Sequence, residues 1–371
     1  MKYITNYLVA NPGLLILLLC GVALYLSKSI YPVIIHLTAK KNLMDEPCNR
    51  SSHVQKTPNL GGVGIFIIFV LCMCVSGSVL GLIELELEQL LAIVSAISIL
   101  FFLGLKDDLI GISPTKKLFG QFLAASIIVF AANLRIDSLH GLFNVEIVNY
   151  GVSVVVSIFL FLFFANAFNL IDGIDGLAGT EGVIASFVFG MFFILFDKLF
   201  MGLISFVLMA CLIGFLNFNL SEKNKIFMGD SGSLFVGFLL MLQAFCFLKL
   251  DLTNASFILP NKLVLLFSVF AFPVLDTVRV FFLRIINGKS PFEADRNHLH
   301  HKLLDLGLTH LKSTMIIAIS NVTLIALAFL TFSLNSIVQF MIVFPLSILL
   351  FYFPFLIKNK AKLSSQAKSL S

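Results

Sequence analysis

Apolar stretches of about 20 residues, the length a helix needs to cross a bilayer, recur along this chain from Leu14 to Phe355. In hydrocarbon no water is available to a bare N–H or C=O, so each stretch must satisfy its backbone internally, as a helix. Only 12% of the residues are charged and the mean hydropathy is +1.02, against about 25% charged in soluble domains. The fold class that follows is all-α, a polytopic transmembrane helical bundle. Windows broken by Pro, Gly, Asn and charge predict about eleven helices, near 11–38, 61–83, 89–106, 118–134, 150–168, 178–196, 199–219, 232–249, 263–286, 314–333 and 336–357. Residues 1–357 read as one integral membrane domain, and 358–371 as a disordered, lipid-facing basic tail. The first run has only Lys2 ahead of it and no A-x-A site near its end, so it reads as a retained helix. The six cysteines form no C-x-x-C pair and mostly lie in apolar runs. They read as small buried hydrophobes, without disulfides or a zinc site.

Lys and Arg assign sidedness. With the N-terminus outside and the C-terminus cytoplasmic, the inner segments hold 18 of the 25 basic residues and the outer ones five. The net charge of +5 therefore reports orientation and an anionic ligand, and calls for no nucleic-acid partner. The unusual polar residues gather on that same inner side, which makes it the candidate active face.

In NAFNLIDGIDG, Asn166, Asn169, Asp172 and Asp175 recur every third residue, a slowly drifting stripe on one helical face. A membrane Asp costs about 2.5–3.5 kcal/mol, so the stripe should face a wet cavity; a helix end wetted by cytoplasm is the plainer alternative. Asp107 and Asp108 end the third span, where the helix dipole disfavours anions. Lys116, Lys117 or Mg²⁺ would relieve them, although a solvated turn would look alike. In KIFMGDSGS, Asp230 is either an ordinary N-cap or a carboxylate ready for Mg²⁺ at a helix start whose free N–H groups suit phosphate. Phe227 offers a flat platform for a base. The loop RIINGKSPFEADRNHLHHKL sets Arg284, Lys289, Arg296 and Lys302 beside His298, His300 and His301, an anion clamp; H-x-H-H lacks a fourth ligand for zinc. The stretch DEPCNRSSHVQKTPNLGGVG, with Lys56 and Gly61-Gly62-Val63-Gly64, alone passes for a polar connector that invites close backbone approach.

Together, DEPCNRSSHVQKTPNLGG, GLKDDLIGISPTKKL, NAFNLIDGIDGLAG, FLNFN, IFMGDSGSLFVG and GKSPFEADRNHLHH resemble the polyprenyl-phosphate N-acetylhexosamine-1-phosphate transferases, the superfamily containing WecA, TagO and MraY. H-x-H-H resembles the WecA/TagO branch. One departure is Gly111, where many relatives place the last aspartate of DDxxD, which removes a third aspartate from that loop. The resemblance implies that Asn169 and Asp172 line the pyrophosphate and metal site, with Asp175 near the uracil. It makes Phe227 the stacking ring, Asp230 the main metal ligand, and His298, His300 and His301 the pyrophosphate-side cluster with Arg296 close by. Lys117, Asn219 and the Lys56–Gly62 loop match positions near the nucleotide or sugar.

The implied reaction moves N-acetylhexosamine 1-phosphate, GlcNAc being the commonest sugar in the branch, from a UDP-sugar to undecaprenyl phosphate. It releases UMP and begins an O-antigen, common antigen or wall polymer. Mg²⁺, with Mn²⁺ as an alternative, is the implied cofactor, and Asp107, Asp108, Asp172, His300 and His301 are the implied catalytic set. The setting is the bacterial inner (plasma) membrane, in contact with lipids, and a homodimer is left open. A CDP-alcohol phosphotransferase fits less well, because Asp175-Gly176 continues without Arg. A transporter should show paired halves and mid-membrane charges, and neither is visible.

Overall fold

The computed structural model describes residues 7–8, 10–41, 43, 57–82, 84–138, 147–251, 261–290 and 297–369. Its regular structure is helical, with no strand among the described residues. In chain order the helices are α1 Pro12–Lys40, α2 Gly61–Leu80, α3 Glu84–Ile110, α4 Pro114–Phe130, α5 Tyr150–Ile171, α6 Leu177–Leu195, α7 Leu199–Asn219, α8 Asp230–Leu248, α9 Lys262–Val269, α10 Ala271–Ile286, α11 Leu299–Asp305, α12 His310–Leu330 and α13 Ser336–Ser369. Among the described residues nine of them are long and apolar enough to cross a membrane, and the bent pair α9–α10 makes ten if it is counted as one span. The remaining expected window is α4, which at 17 residues is slightly short of a full span. The chain is a polytopic helical membrane protein. Its helices fall into two compact units, Met1–Asp251 and Leu252–Ser371.

The first unit is built around α8. From Ser231 to Leu248 every residue of α8 is buried. A helix apolar on all sides needs protein or lipid all round it, and here α2, α3, α5 and α6 pack against it. By contrast α1 buries Leu15, Leu19, Ala23, Ser27 and Tyr31, an every-fourth-residue stripe, and leaves its other face outward. Helices in lipid associate through packing, so small residues mark the close crossings. A Cβ on Gly104 of α3 would fall 2.6 Å from the Ser231 Cα, and one on Gly237 would fall 2.6 Å from the Phe168 Cβ of α5. Phenylalanines fill the remaining gaps: Phe161 stacks on Phe238 at 4.5 Å, and Phe66 on Phe101 at 4.1 Å.

In the second unit the sequence suggested one continuous helix over 263–286, and the structure corrects this. The helix breaks at Phe270 and bends by 72°. Pro273 has no N–H, so the Val269 carbonyl four residues earlier has no helical donor. Asn321, fully buried on α12, donates its amide to that carbonyl at 3.1 Å. Gln339 of α13 likewise donates to the Ala328 carbonyl at 2.7 Å and to Thr331 at 3.2 Å. The last helix runs on through Ser369, where a disordered tail was expected. That segment carries four lysines, Lys358, Lys360, Lys362 and Lys368, and Lys is a good helix former.

Candidate active site

The polar residues of the first unit meet at the N-terminus of α8. Its N-cap is Gly229, with φ +71°, where a side chain would be strained. The first N–H groups of a helix have no intrahelical partner. Here they are taken by Asp108 from the end of α3, which accepts from the Asp230 N–H at 2.8 Å and the Ser231 N–H at 2.9 Å. Asp108 is thus a cap contributed by another helix, at the dipole end that favours an anion. Gly104, one turn earlier on α3, allows this approach.

Asp107 points elsewhere. It accepts from the Ile112 N–H at 2.8 Å and from Lys117 Nζ at 2.9 Å. Lys117 also pairs with Asp230, so one ammonium lies between two carboxylates from different helices. Lys116, the other cation considered, is exposed. On its second oxygen Asp230 accepts from Asn169 Nδ2 at 2.7 Å, and Asn169 also donates to Ser233 Oγ at 2.8 Å.

The four-residue stripe does not survive as one helical face. Helix α5 ends at Ile171 and Asp172 is its C-cap. Asn166 turns to Gln121 of α4 in a reciprocal amide pair of 2.6 and 3.1 Å, leaving Asn169 as the helical member that reaches Asp230. Asp172, just past the helix, accepts a hydrogen bond from the Gly229 backbone. Its carboxyl is nevertheless held well above the usual range, first by burial and then by the nearby charges of Asp230, Asp108 and Asp175. Asp175 forms an ion pair with Lys225 at 2.6 Å.

Lys225 Nζ also lies 5.3 Å from the Phe227 ring centroid, within cation–π range. Phe227 is half-buried, and its backbone is clamped on both sides. Its N–H donates to the Pro58 carbonyl and its own carbonyl accepts from the Gly61 N–H, both at 2.8 Å. A Cβ on Gly61 would fall 2.7 Å from Phe215, which accounts for the glycine. Asn219 is buried and accepts from the Gly176 N–H at 2.6 Å while donating to the Ile226 carbonyl at 2.8 Å. It ties the turn after α5 to the segment bearing Phe227.

In the second unit, His298 Nδ1 lies 2.8 Å from Asp276 Oδ2, and the His298 and His300 rings are near-parallel, 5.5 Å apart. The His301 ring lies 4.3 Å from that of His300. His300 is completely buried, and burial, then the neighbouring His301, hold its imidazole well below the ordinary range. Lys56 and Arg296 lie outside the described residues.

Among the described residues no three His, Cys, Asp or Glu side chains form a ready-made metal cage. Mg²⁺ needs none, because it is commonly held by one or two carboxylates together with substrate phosphates and water. Asp230 and Asp172 supply such oxygens, and the Lys117 ammonium against Asp230 shows that this carboxylate faces a cation. The donor set fits a hard divalent ion completed by its substrate.

Sequence reading missed Lys225, Gln121, Asp276 and Arg279. The first two are ordinary polar residues with nothing in their neighbourhood to mark them. Asp276 carried a usable signal, since an ionisable residue inside an apolar span is by default a site candidate.

Residues 90–248 match the model of glycosyl transferase family 4. Across 290 residues the chain is 32% identical to a probable undecaprenyl-phosphate N-acetylglucosaminyl 1-phosphate transferase of Bacillus subtilis, covering 78% of this chain and 77% of that one. A decaprenyl-phosphate N-acetylglucosaminephosphotransferase of Mycolicibacterium smegmatis is 30% identical over 289 residues, covering 73% and 71%. An undecaprenyl-phosphate alpha-N-acetylglucosaminyl 1-phosphate transferase of Yersinia pestis is 27% identical over 285 residues, covering 76% and 74%. With the motifs in order and relatives this extensive, the chain belongs to glycosyl transferase family 4, among the polyprenyl-phosphate N-acetylhexosamine-1-phosphate transferases.

Proposed function

We propose that this chain transfers N-acetylhexosamine 1-phosphate from a UDP-sugar to undecaprenyl phosphate at the cytoplasmic face of a bacterial plasma membrane, GlcNAc being the sugar to test first. The observation that carries this reading is the α8 N-terminus, where Asp230 is held between Lys117 and Asn169, on the same short segment as half-buried Phe227. In the reaction an oxygen of the lipid phosphate attacks the β-phosphorus of the UDP-sugar. A new P–O bond forms, the bond to the bridging oxygen breaks, and UMP leaves with the electron pair.

Bound at Asp230 and Asp172, Mg²⁺ would draw charge from the phosphoryl oxygens and align the attacking and leaving groups. The protein's own part is placement. Asp108 holds the start of α8, Asn169 orients Asp230, and Lys117 balances Asp107 and Asp230 until anionic substrate arrives. Phe227 offers a face for the base, with Lys225 and Asp175 beside it to meet polar edges. A phosphate monoester has a second pKa near 6, so the nucleophile is mostly dianionic at neutral pH and needs no general base.

The test is an assay of membranes carrying the chain, supplied with undecaprenyl or decaprenyl phosphate and a panel of radiolabelled UDP-N-acetylhexosamines. Mg²⁺-dependent appearance of a lipid-linked sugar with release of UMP is expected. Failure of every donor in the presence of Mg²⁺ and Mn²⁺ would overturn the reading.

A further inference from the structure

We propose that Asp276 and Arg279 are positioning residues for the histidine motif, holding His298 with its proton on Nδ1 so that Nε2 is its working nitrogen. Nothing in the reaction as described uses either residue. Asp276 is completely buried in α10. Its Oδ1 accepts from the Leu299 N–H at 2.9 Å and from Arg279 Nη2 at 3.0 Å, and its Oδ2 meets His298 Nδ1 at 2.8 Å. Arg279 also donates to the Asn297 carbonyl. Two side chains one turn apart on α10 thus hold three consecutive residues: Asn297 by its carbonyl, His298 by its ring, and Leu299 by its N–H.

The chemistry assigns the tautomer. A buried carboxylate beside an arginine, already accepting on one oxygen, is ionised and can only accept on the other. His298 Nδ1 must therefore carry the hydrogen. Nε2, buried and without a hydrogen-bond partner among the described residues, is then directed away from Asp276 as the nitrogen available to a ligand. A carboxylate that fixes a histidine ring in this way governs which nitrogen works. The plain alternative is that Asp276 only secures the start of α11.

This inference rests on the reading that the histidines serve the substrate phosphates, and the experiment separates the two. Asp276→Asn keeps an oxygen for Leu299 and Arg279 but turns an N–H toward His298 Nδ1, so it reverses one bond and leaves the others. In the purified full-length protein, kcat should fall about 10²-fold, the size seen when an outer partner of a working histidine is lost. The KM for the UDP-sugar should change by less than about threefold, since the bond reversed is not a substrate contact. His298→Gln should lose a similar factor, and the double variant should be no worse than the poorer single, because the two act as one unit. Losses that multiply in the double variant would overturn the proposal. So would near-normal kcat in Asp276→Asn.

Nitrogen-15 spectra of histidine-labelled protein read the tautomer without activity. They should show the His298 proton on Nδ1 in the wild type and on Nε2 in Asp276→Asn. An unchanged tautomer overturns the positioning role. The expected tautomer change together with a fully active His298→Gln overturns the phosphate reading instead.

Discussion

Asp230 holds the most demanding residue-level role: it opens α8, faces Lys117 and Asn169, and in the proposed reaction would carry the metal. Asp230→Asn should abolish turnover and blunt Mg²⁺ dependence; retained Mg²⁺ dependence would remove the metal assignment. Phe227→Ala should instead raise the KM for the UDP-sugar, losing stacking of about 1–3 kcal/mol. The aspartate pair divides in a way adjacent letters could not reveal. Both Asp107→Asn and Asp108→Asn should stay crippled at pH 9, where the lipid phosphate needs no base, and recovery of kcat in either would identify that residue as one. Only Asp108→Asn should also lower the melting temperature markedly, because a buried N–H left unmatched costs about 1–3 kcal/mol. Asp172 adds a pH test. Its folded pKa is raised above the unfolded value of about 3.9, so the folded state prefers the proton. Stability is then full below the unfolded value and is lost as pH rises through the folded one. In buffer without divalent ions, Asp172→Asn should melt higher than wild type at pH 8, and the gap should close toward pH 4. Equal melting temperatures across that range would contradict the raised pKa.

At the scale of elements, the helices were legible because an apolar run in lipid has few alternatives to a helix. Their interruptions were less so. The break at Phe270 depends on Asn321 reaching across from another helix to a carbonyl that Pro273 leaves bare. Asn321→Leu should destabilise the protein by about 1–3 kcal/mol, read as a lower melting temperature in detergent, and no loss would mean the carbonyl finds another donor. Gly104 was an unremarked letter in an apolar run, yet any side chain there would collide with the Asp230 and Ser231 backbone. Gly104→Val should abolish activity by pushing α3, and with it Asp108, off the start of α8. Normal activity in that variant would show the crossing to be adaptable.

For the molecule as a whole, orientation rests on the division of 18 inner against five outer basic residues. A reporter fused after Ser371 should be cytoplasmic and one inserted near Asp137 should face outward. A periplasm-active reporter at the C-terminus would overturn the arrangement of eleven spans. The polar residues of the candidate site were nameable before any coordinates because they stand out as rare letters in an apolar chain.

The amino-acid order alone determined that the chain is a helical membrane bundle, and it set out the motifs to which its chemistry is proposed. Length and apolarity leave a lipid-spanning segment one backbone solution, and the motif letters name reactive groups directly. Tertiary structure alone decided what each polar group is used for. Asp108 and Asp107 are neighbours in the chain, but one caps α8 and the other holds Lys117. Asn166 and Asn169 share a spacing, but one closes a helix crossing and the other orients Asp230. Asp276 passed as part of an apolar span until folding brought it to His298. A hydrogen bond extends about 3 Å, and which groups come within that reach is decided by how the helices pack.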